Sequence, residues 1–251
     1  TAGIMITASH NPKEYNGYKV FWSDGAQVTS PVDKDIVAEV AKITDPSMVK
    51  FEPGEGAAPI EVMGHEMYEA YLDSVSTLML SPEGVAAHKD IKIVYTPLHG
   101  TGLLPVTRVL KDLGFEQVYV VEEQATPDGN FPTCPSPNPE NEKAFELALK
   151  LAKEKDADVI MATDPDADRL GVYCKDTKTG EYVSFTGNMS GMLIAEYLLR
   201  EKAKTETMPA NPAMVTTIVT TNMTFPITAK YDVKLIEVLT GFKFIGEQIK
   251  L

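Results

Sequence analysis

The chain has 251 residues, 43% of them apolar, and a formal net charge of −13, so its length suits one or two globular units. Charged and apolar residues are mixed throughout, which argues against disorder, and the acidic balance argues against a nucleic-acid partner. Two cysteines, Cys134 and Cys174, are too few for a disulfide scaffold, and no Cys/His spacing indicates zinc. We interpret them as free thiols of a cytoplasmic protein. No apolar run reaches membrane-spanning length, so no membrane partner is expected.

The first part of the chain predicts two short strands and two helices. Strands over 4–6 and 18–22 flank a polar loop. Ser30 is suited to cap a helix that has Pro31 in its first position. Apolar residues at helical spacing follow it, namely Val32, Ile36, Val40 and Ile43. After a predicted loop over 52–60, a second helix carries Met67, Tyr71 and Val75 on one face.

Alternating strands and helices follow, which is typical of an α/β sheet. Strands are predicted over 91–95, 118–121 and 158–162, and helices over 103–113 and 138–155. This alternation favours a mostly parallel sheet with helices on both faces. A third unit begins near Thr186, with predicted helices over 188–203 and 223–230 and strands over 214–220 and 235–238. The predicted domains are therefore 1–76, 77–186 and 187–251.

An acidic loop directly after the strand over 158–162 is the strongest chemical signal. Asp164, Asp166 and Asp168 alternate with Pro165 and Ala167, and Arg169 follows. Three crowded carboxylates repel one another unless a cation is bound, and oxygen ligands suit Mg²⁺ or Ca²⁺. An EF-hand does not fit, because that loop needs Gly at its sixth position and Glu at its twelfth. The sequence therefore predicts a divalent-cation site.

A second polar loop contains a candidate nucleophile or phosphate carrier. It reads Thr-Ala-Ser-His-Asn-Pro over residues 7–12, followed by Asn16-Gly17 and Lys19. A serine hydroxyl is a weak nucleophile that needs a base or a metal, so Ser9 alone would indicate little. The hydrolase elbow G-x-S-x-G is absent around it.

Taken together, the two loops resemble those of the α-D-phosphohexomutase family, which includes phosphoglucomutase and phosphomannomutase. That family has a phosphoserine loop T-[AG]-S-H-N-P, then N-G and a lysine, and a metal loop D-[GP]-D-[AG]-D-R. Residues 95–102 and 239–244 resemble the second-domain start and a substrate loop of the phosphoglucomutase-like branch. The resemblance implies successive mixed/parallel-sheet α/β domains of the phosphohexomutase type. It also implies an internal fragment, incomplete at both ends, whose sugar-recognition loop G-E-x-S would lie beyond Leu251.

The resemblance also implies a role for each site residue. Ser9 would carry the phosphoryl group and, with the three aspartates, contact Mg²⁺. Lys19, helped by His10, is the candidate base, with its pKa expected to be lowered by the nearby cation. Binding of the phosphosugar substrate is assigned to Asn11, Arg169, Thr240 and Gly241. A sugar 1,6-bisphosphate would serve as intermediate and activator.

The implied reaction interconverts hexose 1-phosphate and hexose 6-phosphate, and the phosphoglucomutase-like segments favour glucose. Phosphomannomutase, phosphopentomutase and a non-catalytic metal-binding module are the alternatives. An aspartate-based phosphatase does not fit, since Asp168 stands where its D-x-D-x-T pattern needs threonine. The segment 127–139, with five prolines and one glycine, is long for a connection and receives no role.

Overall fold

A computed structural model of the chain describes residues 2–52 and 54–251. The first part holds an antiparallel pair of strands, β1 (Gly3–Ile6) and β2 (Tyr18–Phe21), and the helices α1 (Val32–Val40) and α2 (His65–Ser76). The predicted Ser30 cap is wrong, because Pro31 is the N-cap residue of α1 and no side chain caps that helix. Residue 53, inside the predicted loop 52–60, lies outside the described residues.

The second part is built on a five-stranded mixed sheet. Its elements are α3 (Pro82–Ala87), β3 (Lys92–Thr96), α4 (Leu103–Asp112), β4 (Gln117–Val120), α5 (Glu146–Lys155), β5 (Val159–Thr163), β6 (Leu170–Lys175) and β7 (Tyr182–Phe185). The strand order is β4-β3-β5-β6-β7. The first three are parallel, as predicted, but β6 and β7 are antiparallel additions that the sequence interpretation missed. The sheet is therefore mixed rather than mostly parallel.

One face of this sheet and α5 enclose the main hydrophobic core. Val94 of β3 and Ile160 of β5 are neighbours in register and are fully buried, as are Ala148 and Ala152 of α5. Gly171 of β6 allows the chain to approach closely here. A Cβ at this position would lie 2.3 Å from the carbonyl oxygen of Pro139 and 2.8 Å from the ring of Phe145. Core packing thus fixes both edges of the loop that joins β5 to β6.

Helix α5 begins later than the sequence predicted. The helix was expected from residue 138, but a 3₁₀ turn, Glu142–Phe145, precedes it. Asn141 caps that turn by accepting a 3.1 Å hydrogen bond from the Lys143 amide on its side-chain oxygen. Asparagine favours such a local bond over a helical one, which explains the later start.

The third part contains a two-stranded parallel sheet. Its elements are α6 (Gly187–Lys204), β8 (Ala213–Thr217), α7 (Thr224–Lys230), β9 (Lys234–Val238) and α8 (Phe242–Lys250). The strand predicted to reach residue 220 ends at Thr217, whose carbonyl accepts a turn bond from the Thr220 amide. The predicted domain boundaries at 76 and 186 remain predictions. None of the helices in the described ranges is long and apolar enough to cross a membrane.

Candidate active site

The acidic loop joins two antiparallel strands of the central sheet. β5 ends at Thr163, β6 starts at Leu170, and these two residues are paired in register, so residues 164–169 form a hairpin loop. Ala167 adopts a left-handed conformation with φ of 57°, and its amide donates to the carbonyl of Asp164 at 2.9 Å. The three aspartates follow the carboxyl end of the hydrophobic β5. This turn brings their carboxylates close together. One oxygen from each carboxylate lies within 4.8 Å of the others.

The serine loop joins β1 to β2 and is closed by its own backbone. The Thr7 amide donates to the Gly17 carbonyl at 3.1 Å. Ser9 has a φ of 52°, a left-handed conformation that is uncommon for serine. Its amide donates to Oγ1 of Thr7 at 2.8 Å, which stabilises that conformation.

The two loops meet through direct hydrogen bonds. The Ser9 hydroxyl donates to Oδ2 of Asp164 at 3.1 Å, and the Thr7 hydroxyl donates to Oδ2 of Asp166 at 3.1 Å. Nδ1 of His10 lies 3.1 Å from Oγ of Ser9. Ser9 has a single hydroxyl hydrogen, so donation to Asp164 leaves its oxygen free to accept from His10. Ser9 is thus held between a carboxylate and an imidazole.

Lys19 on β2 bridges the remaining carboxylates. Its Nζ donates to Oδ2 of Asp166 at 3.2 Å and to Oδ2 of Asp168 at 3.0 Å. Partial burial opposes protonation, but the bonds to Asp168 and Asp166 outweigh it and raise the pKa of Lys19. The carboxylates alone give this direction. The lowering expected from the sequence depends on a cation beside Lys19 and stays a prediction.

The buried carboxylates fit a divalent cation. Asp164 is fully buried, and burial, with the hydrogen bond to Asp166, raises its pKa to about 6. Burial would also raise the pKa of Asp166, but bonds with Asp164 and Lys19 lower it. Oδ1 of Asp166 is buried with no hydrogen-bond partner among the described residues. A buried anionic oxygen without a partner is costly, and a hard cation with oxygen ligands would relieve that cost.

Arg169 and the two polar residues after Ser9 adjoin the Ser9 and Asp164 contact in sequence. The Arg169 amide donates to Oδ1 of Asp164 at 3.0 Å, and its guanidinium lies 3.8 Å from Glu140 rather than against the loop aspartates. Burial and the positive charge of Arg169 together lower the pKa of His10. Asn11 is exposed, and its amide donates to the carbonyl of Ala8.

The predicted substrate residues of the third part lie at the start of α8. Gly241 is the N-cap residue, with φ of 136°, and the exposed Thr240 precedes it in the connection that follows β9. No hydrogen bond among the described residues joins either of them to the Ser9 cluster. The next residue, Phe242, lines a cleft of about 1200 Å³ together with Asp168 and Glu140. The structure therefore gathers Ser9, His10, Lys19 and the aspartates directly, and Thr240 and Gly241 adjoin only the cleft.

Three supporting residues were missed by sequence reasoning. Thr7 holds both loops, and its place as the first residue of the serine motif was the available signal. Thr101 donates from its amide and its hydroxyl to the carbonyl of Pro165, at 2.9 and 3.1 Å. Gly100 lies so close to that proline that a Cβ would be 2.3 Å from its Cα. The turn after β3 thus packs against the acidic loop and holds its backbone at Pro165.

Three domain-family models match this chain in succession. They are described as phosphoglucomutase/phosphomannomutase alpha/beta/alpha domains I, II and III, over residues 1–47, 69–180 and 186–251. The chain belongs to the phosphoglucomutase/phosphomannomutase family, as its two loops predicted.

Individual relatives agree with this assignment. A phosphoglucomutase of Staphylococcus aureus (strain MRSA252) is 36% identical over all of this chain, which covers 44% of that protein. A probable phosphomannomutase of Haemophilus influenzae is 39% identical over 98% of the chain and is covered to 49%. The chain thus spans about half the length of the curated relatives it matches.

Solved structures show the same fold. A putative phosphomannomutase from Thermus thermophilus matches 99% of the chain with a TM-score of 0.73 and 22% identity, and 51% of that structure is covered. A phosphoglucomutase/phosphomannomutase family protein from Burkholderia thailandensis gives a TM-score of 0.69 at 22% identity, covering 99% of this chain and 47% of the other. At this identity the likeness concerns the fold alone.

Proposed function

We propose that this chain belongs to a phosphosugar mutase that interconverts hexose 1-phosphate and hexose 6-phosphate, with glucose as the preferred sugar. The contact between Ser9 Oγ and Asp164 Oδ2 carries the proposal, because it joins a serine to a three-carboxylate cluster across two parts of the chain. A structural serine needs no such surroundings. The cytoplasmic location predicted from the sequence is part of the same proposal.

Ser9 is the proposed carrier of the phosphoryl group. In the first transfer the bond between Ser9 Oγ and phosphorus breaks and a bond from the sugar hydroxyl oxygen to phosphorus forms, while the hydroxyl proton passes to a base and Ser9 Oγ regains a proton. The product is a sugar 1,6-bisphosphate. After it turns over in the cleft, its other phosphoryl group returns to Ser9 and the second monophosphate is released.

Asp164, Asp166 and Asp168 are the proposed ligands of Mg²⁺, with Ser9 beside them. When bound, the cation would supply neutralisation of the charge that spreads over phosphoryl oxygens in the transition state. The residues themselves hold the donor oxygen in place, and such positioning supplies much of the rate advantage of these transfers. The buried Oδ1 of Asp166, which lacks a partner among the described residues, supports this assignment.

Lys19 and His10 are the proposed proton acceptors, and Lys19 is the leading candidate. Lys19 lies at the junction of the serine and acidic loops, within 3.2 Å of two carboxylates. His10 Nδ1 directly contacts Ser9 Oγ. Arg169 offers a guanidinium fork that suits a phosphate, and Asn11, Thr240 and Gly241 are proposed to contact the substrate.

The experiment is to incubate the purified chain with Mg²⁺ and glucose 1,6-bisphosphate and to locate phosphate by peptide mass. Ser9→Ala removes the acceptor oxygen, and Asp166→Asn removes one cluster charge. Asp73→Asn, on an exposed face of α2, is the matched control. Phosphorylated chain is then mixed with the 1-phosphates of glucose, mannose and ribose, and the loss of phosphate is timed for each.

We expect phosphate on Ser9 in the parent and the control, little in Asp166→Asn, and fastest discharge by the glucose compound. Faster discharge by the mannose or ribose compound would show that this sugar, and not glucose, is preferred. If the chain binds Mg²⁺ but Ser9 stays unmodified, a metal-binding module is the better description.

A further inference from the structure

The proline-rich segment, residues 127–139, is the one sequence feature that the proposed reaction leaves without a role. It connects the end of the β4 region to the 3₁₀ turn before α5. Three of its residues, Cys134, Pro137 and Pro139, are buried, so the segment is packed against the domain rather than extended into solvent. Its contacts therefore indicate what it supports.

His99, in the turn after β3, binds this segment and the residue just before it through its two ring nitrogens. Nδ1 lies 3.1 Å from the carbonyl oxygen of Thr126, and a carbonyl only accepts, so Nδ1 carries the hydrogen. Nε2 lies 2.9 Å from the hydroxyl of Thr133, which donates to it in that tautomer. The His99 ring also meets the Phe131 ring edge-on, with centroids 6.4 Å apart. His99 is 95% buried in these contacts.

The backbone of His99 makes the same connection. Its amide donates to the carbonyl of Gln124 at 2.9 Å, and its carbonyl accepts from the Asp128 amide at 3.2 Å. Its φ is 61°, a left-handed conformation that histidine and asparagine adopt more readily than most residues. His99 is therefore both the bend of the turn and the attachment point of the segment.

The same turn holds the acidic loop on its other side. Gly100 is in contact with the backbone of Pro165, and Thr101 donates two hydrogen bonds to the Pro165 carbonyl. Asp164 and Asp166 are the immediate neighbours of that proline. A change in the bend at His99 would thus be transmitted to the carboxylates through two rigid contacts.

The far side of the segment reaches the serine loop. Nζ of Lys13 donates to Oδ1 of Asn130 at 3.3 Å. Glu140, directly after the segment, lies 3.8 Å from the guanidinium of Arg169. The segment consequently borders the residues that flank both functional loops.

We propose that His99 is a positioning residue. It fixes the proline-rich segment and the turn after β3 so that the acidic loop and the serine loop keep their hydrogen-bonded contact. The proposal rests on the acidic loop being the cation site of the proposed function. His99 touches neither Ser9 nor the aspartates, so its effect is transmitted through Gly100, Thr101 and Asn130.

The test compares three variants by Mn²⁺ binding, followed by electron paramagnetic resonance, and by hydrogen–deuterium exchange of the metal-free chain. His99→Gly removes the ring while still allowing the left-handed backbone. His99→Asn keeps a donor at the position of Nδ1, and Thr133→Val removes only the partner of Nε2. Leu72→Ala, in the buried face of α2, is the control for general destabilisation.

We expect His99→Gly to weaken Mn²⁺ binding roughly tenfold, as outer-shell changes at metal sites commonly do. Exchange should accelerate in peptides covering 127–139 and 164–169. His99→Asn should restore most of both properties, and Thr133→Val should lie between. Leu72→Ala should lower the melting temperature without either change.

The proposal is overturned if His99→Gly binds Mn²⁺ like the parent, or if Leu72→Ala weakens binding equally. A parent chain that binds no Mn²⁺ would instead count against the proposed cation site. In that case the exchange of 164–169 still decides the role of His99, since acceleration in His99→Gly supports the connection and unchanged exchange refutes it.

Discussion

The hydroxyl of Ser9 lies 3.1 Å from Oδ2 of Asp164, although 155 positions of sequence separate the two residues. The contact places a serine oxygen at a carboxylate cluster in which Asp164 is fully buried, and burial of that carboxylate is costly. Occupation of that cluster by a cation and the position of Ser9 are therefore expected to depend on each other.

Divalent cations should stabilise the chain, and Asp166→Asn should remove the effect. At ten times its dissociation constant, a ligand that binds only the folded state contributes about 1.4 kcal/mol. For a chain of this size that corresponds to a rise of about 3–6 °C in melting temperature. The measurement is thermal unfolding with and without Mg²⁺ or Mn²⁺.

Asp73→Asn is the control, because its exposed carboxylate lies on α2, outside the cluster. It should keep the full shift. An equal shift in Asp166→Asn would contradict the assignment of Asp166 as a ligand.

Lys19→Gln should bind Mn²⁺ more tightly than the parent while losing phosphoryl transfer. In the parent, the ammonium of Lys19 occupies oxygens of Asp166 and Asp168, so it competes with and repels a cation. Titration followed by electron paramagnetic resonance measures the affinity, and peptide mass reports phosphate on Ser9.

Lys42→Gln is the matched control, since Lys42 pairs with Glu39 on the exposed end of the α1 region. Its affinity should equal that of the parent. Weaker Mn²⁺ binding by Lys19→Gln would show that Lys19 organises the carboxylates rather than competing for them.

Gly100→Ala should destabilise the chain and loosen its cation site. The added Cβ would lie 2.3 Å from Cα of Pro165, and backbone cannot yield as a flexible side chain can. Overpacking of this kind costs about 1–3 kcal/mol. Urea unfolding and Mn²⁺ titration measure the two effects.

Gly191→Ala provides the opposite case, because a Cβ there meets nothing within 4 Å and the residue lies inside α6. Alanine should stabilise that helix by about 0.5–1 kcal/mol. If both variants were equally stable, the close contact between Gly100 and Pro165 would be refuted.

Cys134 should resist alkylation in the folded chain. Burial raises the pKa of its thiol to about 11, so at pH 8 only about one molecule in a thousand carries the reactive thiolate. The raised pKa keeps the Cys134 thiol neutral, so alkylation accelerates only as the pH approaches 11. Burial also raises the pKa of Cys174, which is less enclosed.

Iodoacetamide labelling followed by peptide mass checks this, with urea-unfolded chain as the control. Cys174 should label before Cys134 in the folded state, and both should label rapidly after unfolding. Rapid labelling of Cys134 in folded chain at pH 8 would contradict its burial.

The sequence predicted those features of the fold and the site that depend on neighbouring residues. The acidic loop follows an apolar strand, and the parallel strands alternate with amphipathic helices, so both were predicted from neighbouring residues. Strands β6 and β7 were not predicted. Their own signal was present: Asp176 to Gly180 forms a turn between two runs rich in aromatic and β-branched residues.

Long-range contacts could not be read from local patterns. Nothing near Thr7 indicates that its hydroxyl bonds to Asp166, 159 positions away. The resemblance to the family predicted that the two loops act together. The contacts that Thr7, Gly100 and Thr101 make with the acidic loop became known only from the structure. The pKa of Lys19 likewise depends on which distant charges come closest, and its lowering beside a bound cation stays a prediction.

The two loops of the site are attached to parts of the chain that differ in stability. The acidic loop extends from β5, a central strand of the five-stranded sheet, whereas β1 and β2 pair only with each other among the described strands. Ile4 and Ile6 on β1 are each 69% exposed, and isolated two-stranded ribbons are marginal in water. The serine loop should therefore detach at a lower opening free energy than the sheet, so mild denaturant will separate Ser9 from Asp164 while the core around Val94 and Ile160 is still folded.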